Sequence, residues 1–465
     1  MSKMIIRFSK ICLENFMNVT RGEIVFPHAL QKQGKIISGN ADIVGIYGQN
    51  GSGKTAFIQA IEFLHNLLTE QPLPHDLEQY IQLGRETMHL SFTFLAQAAR
   101  EYSEIVYDVV ITRHVPSALE PESTQILREQ LSFQWPGKPL YTVWQYEAGK
   151  GLLPKERLDV LLQKQDREAM ARVQGSAASH NLSILFSGDG VYKWLREVAE
   201  EDQWDTYARE KSLYERLRRF GFFGLYVANT NEMGLVNLNL LQPMHFYMEN
   251  QAHLSGGILP ISLNHPGELS EREYLWLKKI VGNMNVVLQQ LIPDLQLTLS
   301  SEKQLNENGQ PVYHIEFISR RNGKAIPFRY ESQGIKRLVG ILNVIIGAYN
   351  EPDITLAVDE LDAGIFEYLL GEFLSVFREG GKGQLIFTSH NLRPLEILNS
   401  ESIVFTTTDS QHRYARMENM EDGDSMRDAY YRTISLGGEE RELYMATDSY
   451  ELARAMRRAG QHEQA

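Results

Sequence analysis

Three features of the sequence predict an α/β fold split by a mostly helical insertion. A short apolar run, Asp42-Ile-Val-Gly-Ile-Tyr47, leads into the glycine-rich segment Gly48-Gln-Asn-Gly-Ser-Gly-Lys54-Thr55 and then into an amphipathic stretch. That is the strand, loop and helix order of an α/β unit. A second apolar run, Ile354-Thr-Leu-Ala-Val358, ends in Asp359-Glu360, and two more follow at 384–388 and 402–407, separated by helical patterns. Strands alternating with helices in this way build a parallel sheet. Between these halves, segments such as 155–173 and 191–220 are charged and helix-prone and carry no phosphate motif. The chain thus divides into an N-terminal lobe (1–137), a helical insertion (138–266) and a C-terminal lobe (267–465) that closes with a basic helix over 450–458.

The elements follow from local pattern. Residues 4–13 read as a strand and 14–18 as a turn. Phe57, Ile58, Ala60, Ile61, Leu64 and Leu67 recur at three and four, which predicts a helix over 55–68. Alternation over 88–94 and 104–112, followed by 129–134, predicts an antiparallel section. In the C-terminal lobe, 269–291 reads as a helix with Glu271, Glu273, Lys278 and Lys279 outward. Strands are expected at 312–318 and 327–330 around an Asn322-Gly323 turn, and a helix at 334–349. Repeats, low-complexity tracts and long heptad runs are absent from the sequence.

Bulk properties narrow the class. With 465 residues, 43% of them hydrophobic, the chain can bury a large core or form two to three domains. A net charge of -13 argues against a protein that coats nucleic acid along its whole surface. It leaves room for a local basic groove, because the field depends on where charges sit. The single cysteine, Cys12, permits no internal disulfide and argues against a cysteine zinc site, as suits a reducing cytosol. Arg7, Lys10 and Glu14 interrupt the first sixteen residues, so no signal-peptide core is read there. The longest apolar stretch, 338–349, is too short to span a bilayer. The expectation is a cytoplasmic protein with no membrane partner.

The glycine-rich segment fits G-x-x-x-x-G-K-[ST], the P-loop. Small residues at Gly48, Asn50, Gly51, Ser52 and Gly53 let successive backbone N–H groups turn inward around a phosphate. The following helix adds its N-terminal dipole. Lys54 would neutralise the β- and γ-phosphates and Thr55 would ligate Mg²⁺, so the expected cofactors are ATP and Mg²⁺. A glycine-rich loop arising by chance would not bring the flanking strand and helix with it. At the end of the second run, Asp359 would hold Mg²⁺ through a water and Glu360 would polarise the attacking water. Adjacent carboxylates ending an apolar strand are costly unless their charge is compensated. The plain alternative is an exposed Asp-Glu turn.

Three more segments bear on that choice. Glu331-Ser332-Gln333-Gly334 stands at a predicted helix N-terminus, Asp362 begins a turn with Ala363 and Gly364, and Thr388-Ser389-His390 ends the next strand. Singly they are an N-cap, a turn and an ordinary histidine. In this order and spacing they resemble the ATP-binding-cassette ATPases, in the branch containing the structural-maintenance-of-chromosomes, RecF and OLD proteins. Leu13-Glu-Asn-Phe16 is similar to that branch's opening strand and turn, and Gly48 to Thr55 to its Walker A. Ser332-Gln333-Gly334 is similar to the signature motif, 354–360 to Walker B, Asp362 to the D-loop and His390 to the switch histidine. The likeness covers roughly 1–130 and 310–410. The chain departs from it at Phe366, where many relatives have histidine, and at Ile335, where many have threonine; neither change removes a group that hydrolysis needs. Gln79 and Gln82 both fall where a Q-loop glutamine belongs.

The resemblance implies a head-to-tail homodimer or higher oligomer, with each ATP between one P-loop and the other copy's Ser332–Gly334 helix start. It implies catalytic roles for Glu360, His390 and Lys54, His390 sensing the γ-phosphate. Asp422-Gly-Asp424 is the candidate metal pair for an appended nuclease, but the segment reads better as an acidic loop. Size and layout resemble the ATPase subunits of two-component anti-phage systems such as PARIS and Septu. That resemblance implies a separate nuclease or toxin effector and a phage trigger protein. A RecF-like repair clamp is the alternative, with Arg216-Leu-Arg-Arg219 and Arg320-Arg-Asn-Gly-Lys324 meeting DNA phosphates. A nucleotide-locked scaffold is a third, which Glu360 argues against, since a scaffold needs no general base.

Overall fold

The computed structural model describes residues 5–30, 40–98, 101–114, 123–155, 181–187, 191, 205–229, 234–236, 238–249, 254–306, 309–417, 425–436, 443 and 448–461. Strands β1 (Ile5–Phe16) and β2 (Val19–Val25) form a hairpin, and β3 (Asp42–Tyr47) runs through the glycine loop into α1 (Lys54–Leu68). A run of strands follows: β4 (Thr87–Ala98), β5 (Glu101–His114), β6 (Ser123–Gln134), β7 (Tyr141–Glu147) and β8 (Gly151–Leu153). Helix α2 (Asp205–Phe223) leads to β9 (Leu225–Ala228), and β10 (Leu241–Glu249) pairs with β11 (Leu254–Ser262). Next come β12 (Gly267–Ser270), α3 (Glu271–Leu291), β13 (Gln296–Leu305), β14 (Pro311–Arg321) and β15 (Lys324–Pro327). Helix α4 (Gln333–Asn350), β16 (Thr355–Val358), α5 (Glu367–Gly380), β17 (Gln384–Thr388), β18 (Ile403–Thr406) and β19 (Tyr414–Ala415) precede α6 (Met426–Leu436) and α7 (Ser449–Gln461).

The molecule has a mixed α/β fold whose centre is the sheet β19-β18-β3-β17-β16-β9. Its inner strands are parallel, with Thr388 beside Ile46 and Val358 beside Phe387. Both faces are covered, so the strands are continuously apolar, as buried parallel strands are. Val44, Ile46, Ala357 and Ile386 face a core shared with α1, α2 and the seven-stranded antiparallel sheet β2-β1-β4-β5-β6-β7-β8. Ile43, Tyr47, Leu356, Val358, Leu385 and Phe387 face a second core with α4 and α5. A third core joins β10, β11, α3 and the sheet β12-β14-β13 to the other side of α4 through Leu338, Val339 and Leu342. A helix apolar nearly all round is buried nearly all round, and α4 is the beam between two cores.

The parallel register lines up the C-terminal ends of β3, β17 and β16 at one edge. Open α/β sheets take ligands at that edge. The first of these strands comes from the start of the chain and the other two from beyond residue 350, so the site at that edge needs both ends.

Of the expected helical insertion, 138–266, the structure describes only part. Among its described residues, β7, β8, β9, β10 and β11 outweigh the one long helix, α2. Strand β9 is an integral edge of the central sheet, paired with β16, and α2 packs on α1, where a Cβ on Gly221 would fall 2.5 Å from that of Leu68. Charge-rich composition masked short alternations such as that of Gln242 and Met244, buried on either side of the half-buried Pro243 in β10. The predicted helix at 155–173 lies almost wholly outside the described residues, as do Asp422 and Asp424. Two boundaries also shift: β1 continues through Phe16 before the turn, and Phe328–Tyr330 is a 3₁₀ turn rather than a strand.

Candidate active site

The glycine loop has the backbone its sequence demands. Gly48, Gly51 and Gly53 have φ of +153°, +74° and +100°, conformations that side-chain-bearing residues adopt at a cost. At Gly48 there is no room either, since a Cβ would fall 1.7 Å from Thr406 Oγ1. Lys54 is 6% exposed and curls back into the loop, its Nζ donating to the carbonyls of Gly48 at 2.8 Å and Gln49 at 2.9 Å. Ser52 Oγ donates to Gln49 O at 2.7 Å and lies 2.5 Å from Thr406 Oγ1. Thr55, one residue into α1, is exposed toward the cleft, as are Asn50 and Gly51.

The acids arrive from β16. Asp359 is 1% exposed, and its Oδ1 lies 3.5 Å from Thr55 Oγ1 and 2.6 Å from Thr388 Oγ1. Glu360 takes a φ of +52°, rare for a residue with a side chain, and its N–H donates to Thr388 Oγ1 at 2.7 Å. Asp362 accepts from the N–H groups of His390 at 3.2 Å and Asn391 at 3.0 Å, which fastens the turn after β16 to the loop after β17. Burial pulls the Lys54 ammonium below its ordinary value, against the charges of Asp359, Glu360 and Asp362, which pull it up.

A cleft of about 670 Å³ opens over these groups. Asn50, Gly51, Gly53, Lys54, Thr55, Asp359, Glu360 and His390 line it, with Met17 and Asn18 from the β1–β2 turn. Of the two Q-loop candidates, Gln79 lines the cleft, whereas Gln82 donates to Thr20 Oγ1 at 2.8 Å. The site fits the groups its motif implies. The loop forms a cradle that a Cβ at Gly48 would fill, the cleft has more volume than a lone phosphate needs, and Thr55 and Asp359 offer the hard oxygen donors that Mg²⁺ prefers. Among the described residues no three His, Cys, Asp or Glu side chains cluster to hold a metal. An ion here would complete its shell with water and phosphate oxygens, as Mg²⁺ commonly does.

The signature-like residues are elsewhere. Ser332 caps α4, accepting from Ile335 N–H at 3.4 Å, and both Ser332 and Gln333 are exposed. Neither they nor Gly334 line the cleft. Gly334 is instead pressed against the Asp362 turn, where its Cβ would fall 1.8 Å from Gly364 O. The departures noted in the sequence also sit on this side: Phe366 is 70% exposed and Ile335 is half-buried.

Several residues of the site escaped sequence reasoning. Arg337, on α4, is buried and donates to the carbonyl of Asp359; burial lowers its pKa while Glu360, Asp362 and Asp359 raise it. The β18–β19 hairpin braces the glycine loop from behind: Tyr414 OH donates to Gly53 O at 2.8 Å, and Arg413 donates to Asn18 O and Thr407 O at 2.8 Å each. No motif marks Arg413 or Tyr414. Thr388 and Thr406 did carry a signal, as polar residues ending otherwise apolar strands.

Residues 10–80 match a family model described as an AAA domain, a span from β1 through the glycine loop and α1 to Tyr80. No curated protein matches the chain. Among solved structures, it is similar to the Smc head domain with an extended coiled coil, bound to the C-terminal domain of ScpA, from Pyrococcus furiosus. Identity there is 12%, over 92% of this chain and 98% of that one, with a TM-score of 0.39. The recombination mediator protein RecF of the RecFOR pathway is 12% identical over 90% and 100% of the two chains, with a TM-score of 0.35. The SMC head domain from Thermotoga maritima is 13% identical over 89% and 100%, also with a TM-score of 0.35.

Proposed function

We propose that this chain is an ATPase of the ATP-binding-cassette type that works as a nucleotide-controlled switch. The observation that carries the reading is the meeting of Thr55 and Asp359, 3.5 Å apart, in a cleft that Lys54, Glu360 and His390 also line. In this reading the loop N–H groups and Lys54 bind the β- and γ-phosphates, and Thr55 and Asp359 hold Mg²⁺. The ion supplies charge neutralisation across the phosphates. Glu360 takes the proton of the attacking water, and His390 contacts the γ-phosphate.

The exposed start of α4 supports a second step. A helix N-terminus is a ready anion site, and this one opens away from its own chain's cleft. In a head-to-tail pair, Ser332, Gln333 and Gly334 of one copy would close on the nucleotide of the other. ATP would then join the copies and hydrolysis release them, a switch ordered by the γ-phosphate.

Lys54→Ala is expected to abolish ATP binding. Glu360→Gln is expected to keep binding, stabilise the pair and lower turnover by about 10²–10⁴-fold, the usual worth of a general base. Variants that hydrolyse ATP like the wild type would refute the site.

For what the switch controls, the reading is an anti-phage complex in which the ATPase senses infection and restrains or licenses a separate nuclease or toxin. It rests on the likeness in size and motif order to such subunits. A RecF-like DNA clamp is the second reading, favoured by the exposed Arg320 and Lys324 on the β14–β15 hairpin and Arg219 on α2. Purification of the Glu360→Gln form from its host separates the two. A stoichiometric nuclease or toxin supports defence. Replication proteins with salt-sensitive, ATP-dependent duplex binding support repair.

A further inference from the structure

We propose that Thr388 is the positioning residue that turns two consecutive carboxylates, Asp359 and Glu360, into the same cleft and gives them separate tasks. This rests on the ATPase reading above.

Consecutive residues of a strand point to opposite faces, so Asp359 and Glu360 continuing β16 could not both reach the nucleotide. The chain breaks that alternation at Glu360, whose φ of +52° is unfavourable in a residue with a Cβ. Such a conformation persists only where its surroundings impose it. The Thr388 hydroxyl provides the constraint. It accepts from Glu360 N–H at 2.7 Å and donates to Asp359 Oδ1 at 2.6 Å. A hydroxyl has one proton to give and lone pairs to accept with, so one group fixes both residues at once. Donation to Oδ1 also sets how the Asp359 carboxylate faces Thr55 Oγ1, 3.5 Å from the same oxygen.

Thr388 is itself immobile. It is 0% exposed, pairs with Ile46 of β3, and its carbonyl accepts from Leu361 N–H at 3.0 Å. Its χ1 is restricted by branching at Cβ. Strand β17, paired with the β3 strand that carries the glycine loop, therefore sets through the Thr388 side chain where both acids stand relative to that loop.

Two substitutions separate positioning from packing because they predict opposite orders. Thr388→Val keeps the shape and loses the hydroxyl; Thr388→Ser keeps the hydroxyl and loses the methyl group. If Thr388 positions the acids, Thr388→Val lowers kcat and raises the Mg²⁺ concentration needed for tight binding of a fluorescent ATP analogue by about 10–100-fold each, as loss of a group orienting a metal ligand does. Analogue binding in EDTA stays at the wild-type level, and Thr388→Ser stays within about threefold of wild type in all three. Thr388→Cys, similar in size with a poor hydrogen-bonding group, serves if the valine variant does not fold and should match its expected losses. Near-wild-type turnover and Mg²⁺ dependence in Thr388→Val, or equal damage in Thr388→Ser, overturns the proposal. A wild-type chain that binds Mg²⁺ and the analogue without hydrolysis refutes the ATPase reading, while the Mg²⁺ titration still decides the role of Thr388. A wild-type chain that binds no nucleotide overturns both.

Discussion

The glycine loop and the start of α4 use the same parts, a glycine that lets backbone come close and a helix N-terminus, yet the chain finishes one and leaves the other open. Around the loop, among the described residues, the chain supplies partners of its own. Lys54, Ser52, Thr406 and Tyr414 bind it from below, and Asp359 meets it from across the sheet. At α4 the internal contacts stop at Gly334 against Gly364, and Ser332 and Gln333 face outward. The difference separates two properties. Nucleotide binding should belong to a single chain, whereas turnover, on the proposed mechanism, should need a second copy.

Alanine at the two glycines breaks this comparison most sharply. At Gly48 a Cβ has neither the φ nor the space, and the atom it meets belongs to a buried threonine. Gly48→Ala should weaken nucleotide binding by about 10–100-fold, the equivalent of 1–3 kcal/mol of overpacking. At Gly334 the Cβ would meet backbone, the carbonyl of Gly364. Gly334→Ala should therefore displace the start of α4, lower turnover and ATP-driven self-association by a similar 10–100-fold, and leave binding near wild type. Titration with a fluorescent nucleotide beside sedimentation velocity reads both. Loss of binding in Gly334→Ala would show that the two regions are one.

Ser332 gives a finer cut. Aspartate caps a helix about as well as serine, but it would set a negative charge where the partner's phosphate is expected. Ser332→Asp should keep stability within about 0.5 kcal/mol and abolish self-association on ATP. Ser332→Ala should do the reverse in part, costing about 1 kcal/mol of stability with a milder loss of association. Thermal melts and sedimentation of both variants check the pair. If Ser332→Asp associates normally, the helix start faces no phosphate.

How much of this was legible depended on whether a residue's task is local. The loop's glycines, Lys54, Thr55 and the acids after β16 announce themselves because the proposed phosphate and metal binding would demand fixed residue types at fixed spacing. Strands β3, β16 and β17 were equally plain, since burial on both faces leaves an unbroken apolar run. What stayed hidden acts at a distance in sequence. Arg337 reaches the Asp359 carbonyl from another element, Arg413 and Tyr414 brace a loop more than 300 residues upstream, and nothing in their neighbourhoods requires it. The strands within 138–266 stayed hidden for a related reason. Its strands β7 and β9 draw their stability from sheets built elsewhere, so their own sequences need only weak alternation beside a strongly charged α2.

The smallest effect tests the region that should matter to neither property, the outer face of the antiparallel sheet. His89 on β4 lies 3.1 Å from Asp108 Oδ1 on β5 and 3.6 Å from Glu14 on β1. Its pKa is raised, first by the hydrogen bond to Asp108. Burial opposes that rise, the charges of Asp108 and Glu14 add to it, and Arg128 works against it. A histidine with a raised pKa in the folded state favours folding in its charged form. The contribution is full below the unfolded value of about 6.5 and is lost as pH rises through the higher folded value. For this partly buried pair the amount is about 0.5 kcal/mol. Urea unfolding of the wild type should show this decline above pH 6.5, and Asp108→Asn should remove it without touching ATP binding or turnover. A pH slope unchanged by Asp108→Asn would assign the decline to other groups, and a change in turnover would mean that the sheet's outer face is linked to the cleft after all.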